Sequence, residues 1–442
     1  MRFHTFIALA ATLFLSAGSA QAAPLIYPTG VTQYDPSKAA NGYMLIGGHW
    51  GPTNAADAYA YVKKDEKGNW VNMPSSERRL IDMNGNVVHV WKNAPGDRFR
   101  LLPNGNLLTL DQVGKRVVEY DWDGNTVWEY KTNLGPHHDV QRLPNGNTLI
   151  LTFENVPVEK LDKVKDFEDQ WFGTVKRRDT LLIGDSIIEV TPEKKIVWQW
   201  NSSDHLDLNL FNPMRPVSDW THGNTISVLP ENKWYDAGDK RFKPGNILYN
   251  PRHFDEVQLI DKESGKIVWT WKTKKLGGLT NSHEPNMIPK GRPGEGNILI
   301  FDNGLFPKTV AHAGKSVLHE FDPSSGEVVW SYVPNRVVRL FSTVMSTVSK
   351  LPNGNVLTSE DSIGRTVQIR PEAGHPEGGE IVWEYVHDGG LDRPSWYPYD
   401  YCPQMKTLPA PSEKKVSPVE PATWSILPDE LRTEDNFVKI NK

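Results

Sequence analysis

The stretch Gly135-Pro-His-His-Asp-Val-Gln-Arg-Leu-Pro-Asn-Gly-Asn-Thr-Leu-Ile-Leu151 decides the fold. Asn145-Gly146 is a dipeptide that tolerates the two left-handed positions of a type I′ turn. Apolar residues flank it on both sides, so the stretch reads as a β-hairpin. One strand begins at His138, six residues before Pro144. The same hairpin recurs along the chain, but the residue at that starting position changes. The repeat reads as scaffold and the changing residue as chemistry.

Two patterns alternate outward from this stretch. The first is Leu-Pro-Asn-Gly-Asn followed by apolar residues, complete at 102–106, 143–147 and 351–355. Weaker copies run from Leu229 through Pro244-Gly-Asn-Ile-Leu248, from Ile288 through Glu295-Gly-Asn-Ile-Leu299, and over Asn41-Gly-Tyr-Met-Leu-Ile46. The second is a strand, an acidic and Gly-containing turn, and a strand ending in Val-Trp or a close variant. Its tryptophans are Trp91, Trp128, Trp198, Trp269, Trp330 and Trp383. One pattern plus the other makes four strands, and six such units make an all-β, six-bladed β-propeller. The predicted blades are 26–91, 98–130, 138–200, 222–271, 283–332 and 346–386. A Trp at an equivalent place in each unit is predicted to pack between neighbouring blades. A charged insertion spans about Glu154 to Asp185, with Trp171-Phe172 near its middle, and reads as a solvated hairpin or a lid.

The ends read differently. Arg2, the apolar run Phe6 to Leu15 and Ala20-Gln-Ala22 read as a signal peptide over 1–22. The apolar run is too short to span a bilayer, so no membrane anchor is expected. This implies a periplasmic or secreted protein. Residues 23–404 are assigned to the propeller, and 405–442, rich in Pro, Ser and charge, to an irregular tail. The formal net charge of −5 gives no reason to expect a nucleic acid partner. The single cysteine, Cys402, excludes an intramolecular disulfide.

The first strand of a propeller blade lines the central channel, and equal distance from equivalent turns means equal height. Counting six back from the hairpin proline gives Asp97, His138, Asn224 (with His222 two residues earlier), His283 and Ser346. Counting six forward from the last Asn gives Gln112, Phe153, Arg252, Asn303 and Asp361 on the returning strand. His138, His222, His283, Arg252 and Asn224 then converge from three consecutive blades, with His137 beside them. His253 is predicted to face away from Arg252. His89, His205, His375 and His387 fall outside the layer and read as surface. A guanidinium offers a planar fork to a tetrahedral oxyanion, and a neutral imidazole is both nucleophile and base near neutral pH.

The ordered set His-His-Asp-x5-Pro-Asn-Gly-Asn, Thr-His-Gly-Asn, Asn-Pro-Arg-His-x-x-Asp and Ser-His-x4-Pro resembles the bacterial aryl-sulfate sulfotransferases, over most of the mature chain. The resemblance implies transfer of a sulfuryl group from a phenolic sulfate ester to a phenol, without a nucleotide donor, cofactor or metal. It implies that His283 becomes transiently sulfated. His138, His222 and Arg252 would hold the sulfuryl oxygens and assist proton transfer, with Asn224 and His137 on the substrate. Better-known members carry an N-terminal β-sandwich used in dimer contact. Too little chain precedes the repeats here for such a domain, which leaves a homodimer open. Glu284-Pro285 after the histidine departs from the family pattern. Two other readings use the same residues. Three histidines with Asp139 or Glu284 could hold a divalent metal, as in propeller lyases or hydrolases of polysaccharides. A propeller can also be a non-catalytic ligand-binding module.

Overall fold

In the Leu143-Pro-Asn-Gly-Asn147 turn, the Gly146 amide donates to the Leu143 carbonyl at 3.0 Å and Leu143 N–H to the Asn147 carbonyl at 2.8 Å. Of the two central candidates only Gly146 is left-handed, at φ 86°. The turn is therefore a type I turn closed by a left-handed glycine, and the type I′ expectation is corrected. The reason is Pro144, whose ring fixes φ near −65° and occupies the second turn position. Asn145 Oδ1 accepts from the Asn147 amide at 3.0 Å, and Asn147 Nδ2 reaches Glu189 on the third strand. The copies at Leu102 and Leu351 close with the same pair of backbone bonds.

The computed structural model describes residues 29–48, 62–64, 70–72, 77–169, 173–212, 215–273, 278–304, 314–336, 339–387 and 389–418. The signal segment, Trp171-Phe172 and the last part of the tail lie outside these residues. Six antiparallel sheets form the blades of a propeller. Blades 2 to 5 take their four strands in chain order, beginning with Arg98–Leu101, Pro136–Arg142, Gly223–Val228 and His283–Met287. The ring closes at two places. Ser395–Tyr397 is the innermost strand of blade 1, beside Tyr43–Gly47, Arg78–Ile81 and Val87–Trp91. Gly30–Tyr34 adds a fifth, outermost strand to blade 6, against Gly379–Val386. The regular pattern thus resumes after Val386 in one strand that belongs to the first blade.

The six tryptophans bind the ring. Trp91, Trp128, Trp198, Trp269, Trp330 and Trp383 donate their indole N–H to the carbonyls of Asp121, Pro192, Lys262, Pro323, Gly378 and Met83. Each acceptor lies in the turn between the last two strands of the next blade, and the last bond returns to blade 1. The distances run from 2.8 to 3.0 Å. An indole fills the wedge between diverging sheets and still finds a partner for its one polar atom.

The insertion adds a short helix at Val158–Leu161 and a hairpin of Phe167–Asp169 with Gly173–Val175. It shares a small core with residues that border the site: Val156, Leu161, Val164 and Leu182 pack with Leu208, Trp220 and Phe254. The start of the tail is packed down. Cys402 and Met405 are buried against blades 1 and 2, and Val416 exchanges backbone bonds with Tyr34. Among the described residues no helix is long and apolar enough to cross a membrane.

Candidate active site

The inner strands lose their regular register at the funnel mouth. In blades 3, 4 and 5 the pairing shifts between Pro136 and Val140, Gly223 and Ile226, and His283 and Asn286. His138 and His222 are left-handed, at φ 56° and 47°. Bulges and left-handed residues swing side chains out of the strand alternation and into the mouth. A cavity of about 240 Å³ opens there. His138, Arg252 and His283 line it, as the count from the turns predicts. Asp97, Gln112, Asp392, Arg393 and the apolar Val344 and Met345 line it as well. His222 does not line the cavity but stands next to His138 with its side chain 20% exposed, whereas His137 and Asn224 are fully buried and do not line it.

His283 is 1% exposed and its tautomer is fixed. Its Nδ1 lies 2.9 Å from the Asn281 carbonyl and 2.6 Å from Asn303 Oδ1. Asn303 Nδ2 donates to the carbonyls of Ser342 and Met345, so its oxygen must face the imidazole. Two acceptors at Nδ1 place the proton there and leave Nε2 with a free lone pair. Burial, then the charges of Arg393 and Arg252, push the His283 pKa well below its ordinary value.

His138 and His222 stand edge to face, ring centroids 4.9 Å apart. His138 Nδ1 is 2.8 Å from His137 Nδ1, and His137 Nε2 is 3.2 Å from Asp185 Oδ1. A carboxylate only accepts, so the proton of His137 belongs on Nε2 and that of His138 on Nδ1. Phe153 stacks on His137 at 3.9 Å. His222 Nδ1 donates to Asp219 Oδ2. Burial lowers the pKa of both site imidazoles. The neighbouring His222 and His137 add to this at His138, and Arg252 adds to it at His222. Asn224 is fully buried, and its Nδ2 donates to the Ser282 carbonyl next to His283.

His253 does not face away, contrary to the alternation rule. The strand ends at Pro251, and Arg252–Phe254 form a 3₁₀ turn. His253 therefore stacks on His222 at 4.8 Å, donates through Nδ1 to the Asp219 carbonyl, and accepts at Nε2 from Arg252 Nη2 at 3.1 Å. Burial, with His222 and Arg252 nearby, holds its pKa down at about 3. Burial and Arg215 lower the Arg252 pKa to about 10. Asp219, His222 and His253 have ligand atoms within 4.8 Å of one another, as a metal site would. The Arg252 guanidinium already occupies His253 Nε2, placing positive charge where a cation would go.

Glu284, next to His283, serves the inner ion-pair network. It turns inward at φ 52° and pairs with Arg98 Nη2 at 2.5 Å and Arg393 Nη1 at 3.2 Å. Asp139 accepts from Arg98 and Arg100 at 3.1 and 3.0 Å. Both carboxylates of the metal reading are thus committed to guanidinia inside the channel. His89 is also not simply surface, since it stacks on Trp122 at 3.9 Å and meets Trp91 edge to face.

Arg393 and Asp392 escaped the sequence reading because the inner strand of blade 1 comes from the far end of the chain. Their signal was present: six residues before Pro398 stands Asp392.

Fold and site together define a six-bladed propeller enzyme that gathers neutral imidazoles and guanidinia at one funnel mouth. The chain belongs to the arylsulfotransferase (ASST) family, which it matches over residues 66–387, and is therefore a sulfotransferase. Small aryl sulfate and phenol substrates are consistent with that membership. No curated protein matches the chain. Among solved structures, it is similar to a protein of unknown function from Bacteroides caccae, with 14% identity, TM-score 0.44, 80% of this chain and 98% of that one covered. It is also similar to a virginiamycin B lyase from Staphylococcus aureus, with 9% identity, TM-score 0.41, and 84% and 99% covered. The hydrazine synthase of Kuenenia stuttgartiensis gives 12% identity, TM-score 0.41, and 73% and 77% covered. None of these three likenesses enters the assignment.

Proposed function

We propose that the protein moves a sulfuryl group from a phenolic sulfate ester to a phenol through a sulfohistidine at His283, in a ping-pong cycle without a nucleotide donor. The observation that carries this reading is the fixed tautomer of His283, whose Nε2 lone pair is available at neutral pH. In the first half, Nε2 attacks sulfur and the S–O bond to the donor breaks. The leaving phenolate departs and takes a proton from solvent. In the second half, the acceptor phenol loses its proton to His138 or His222, and its oxygen displaces Nε2 from sulfur. That proton balances the one taken up in the first half. Asp219 holds His222 with Nε2 as the base, and Arg252 donates to the sulfuryl oxygens where charge develops. Asn224 and His137 act from behind, by fixing the Ser282 carbonyl and the His138 tautomer. Val344 and Met345 offer the aryl ring an apolar surface. The N-terminal signal segment supports action in the periplasm or outside the cell, where no nucleotide donor is required.

The test is release of 4-nitrophenol from 4-nitrophenyl sulfate, with and without phenol, followed by mass spectrometry of enzyme quenched without acceptor. Phenol-dependent turnover and a sulfuryl adduct on the peptide carrying His283, both lost in His283→Ala, are expected. Phenol-dependent turnover that survives in His283→Ala would sink the sulfohistidine.

A further inference from the structure

The tautomers of the site leave a gap in this mechanism. His138, His222 and His283 all carry their one ring N–H on Nδ1 and present Nε2 as an acceptor. None of the three can donate to a sulfuryl oxygen in its neutral form. Arg252 alone would then serve three oxygens.

A second guanidinium is at the cavity. Arg393 lines it with His138, Arg252 and His283. Its side chain is 4% exposed. Its backbone is left-handed at φ 41°, a conformation that Asp361 holds by accepting from the Arg393 amide at 3.0 Å. Nη2 donates to the Asn224 carbonyl at 2.8 Å, whereas Nη1 is ion-paired with Glu284 Oε2 at 3.2 Å but makes no aligned hydrogen bond. Five charged groups meet beneath the cavity: Arg98, Arg100 and Arg393 against Asp139 and Glu284. Around that group Asp97 and Asp392 face the buried Arg78, and burial pushes the Asp361 carboxyl, behind Arg393, up to about 7. Arg393 and Arg252 together bring two guanidinia to the cavity lining, and each offers the planar fork that suits a tetrahedral oxyanion.

We propose that Arg393 is a second guanidinium of the oxyanion site, donating through Nη1 to a sulfuryl oxygen that Arg252 does not reach. The proposal rests on the sulfuryl-transfer reading for its substrate, and on the cavity alone for the anion. It also gives the ring closure a role. The segment that completes blade 1 delivers the residue, so the oxyanion site exists only once the propeller has closed.

The probe is inorganic sulfate, titrated calorimetrically into the full chain. Arg393→Gln is expected to weaken sulfate binding about tenfold, the size of one charge-assisted hydrogen bond. It is also expected to lower kcat/KM for 4-nitrophenyl sulfate by at least as much, with the acceptor KM little changed. Wild-type sulfate affinity in Arg393→Gln would overturn the proposal, because a purely structural role leaves that number alone in a folded variant. Should Arg393→Gln not fold, Arg393→Lys keeps the charge opposite Glu284 but not the fork, and unchanged affinity there is equally fatal. If sulfate binding falls in the variant but no aryl sulfate is turned over by the wild type, the anion site stands and the transfer reading fails. If transfer is normal and sulfate binding is unaltered in the variant, the transfer reading stands and the role of Arg393 fails.

Discussion

Replacing Asn303 by Leu tests whether the orientation of His283 matters more than its presence. The substitution keeps the branched shape and removes three hydrogen bonds: one accepted from His283 Nδ1, and two donated to the carbonyls of Ser342 and Met345. The Asn281 carbonyl still accepts from Nδ1 at 2.9 Å, so the tautomer is loosened rather than lost. One neutral hydrogen bond is worth about 1 kcal/mol, so kcat should fall about five- to tenfold. The two deprived carbonyls should cost about 2–4 kcal/mol of stability together, with Ser342 partly compensated by Ser316 Oγ at 3.4 Å. Asn303→Asp separates the two effects. It keeps an acceptor at Nδ1 and adds negative charge, which should raise the His283 pKa and move the acid limb of kcat/KM up by roughly one unit. The assay is phenol-dependent release of 4-nitrophenol, with thermal unfolding of the same preparations. A fall in Tm for Asn303→Leu with kcat within twofold of wild type would refute the orientation argument. So would an acid limb in Asn303→Asp that does not move.

Three further outcomes follow from the same contacts. The proposed attack needs a neutral His283, and burial holds its pKa well below 6.5, so kcat/KM should stay level from pH 8 to 6; a decline centred near 6.5 would contradict this. Glu284→Gln leaves Arg98 and Arg393 short of a counter-charge and should cost about 3–5 kcal/mol, read as a lowered urea midpoint. Trp383→Phe removes the indole bond that ties blade 6 to Met83 and should cost about 1–3 kcal/mol, more than Trp128→Phe, whose ring is partly exposed.

Periodicity made the fold legible in the sequence. Each Leu-Pro-Asn-Gly-Asn turn and each Val-Trp strand satisfies its own local hydrogen bonds, so both patterns survive as readable repeats. Closure was not legible, because Gly30–Tyr34 and Ser395–Tyr397 pair with strands hundreds of residues away and carry no copy of either motif. At the site, counting from the turns placed His138, Arg252, His283, Asp97 and Gln112 around one cavity. The same count reached Phe153, Asn303 and Asp361, which proved to be supports. Phe153 stacks behind His137, Asn303 fixes His283, and Asp361 holds the Arg393 backbone. For His253 strand alternation failed because the strand itself stops at Pro251, and that moved His253 into the cluster.

The regularity of the blades and the irregularity of the mouth have one cause. A strand in perfect register aims alternate side chains at its two faces and aims none across the channel. To converge, the inner strands must break register, as blades 3, 4 and 5 do, and accept left-handed residues at His138, His222, Met345 and Arg393. Each such residue costs about 1–3 kcal/mol, so the mouth stores strain that the surroundings must hold. The surroundings are the six indole bonds outside and the guanidinium–carboxylate cluster inside. That cluster joins Arg98 of blade 2, Asp139 of blade 3, Glu284 of blade 5 and Arg393 of the closing segment. Glu284 directly follows His283. Glu284 therefore anchors the strand carrying the proposed nucleophile to the far side of the ring, and its charge partner Arg393 is the guanidinium proposed for the oxyanion.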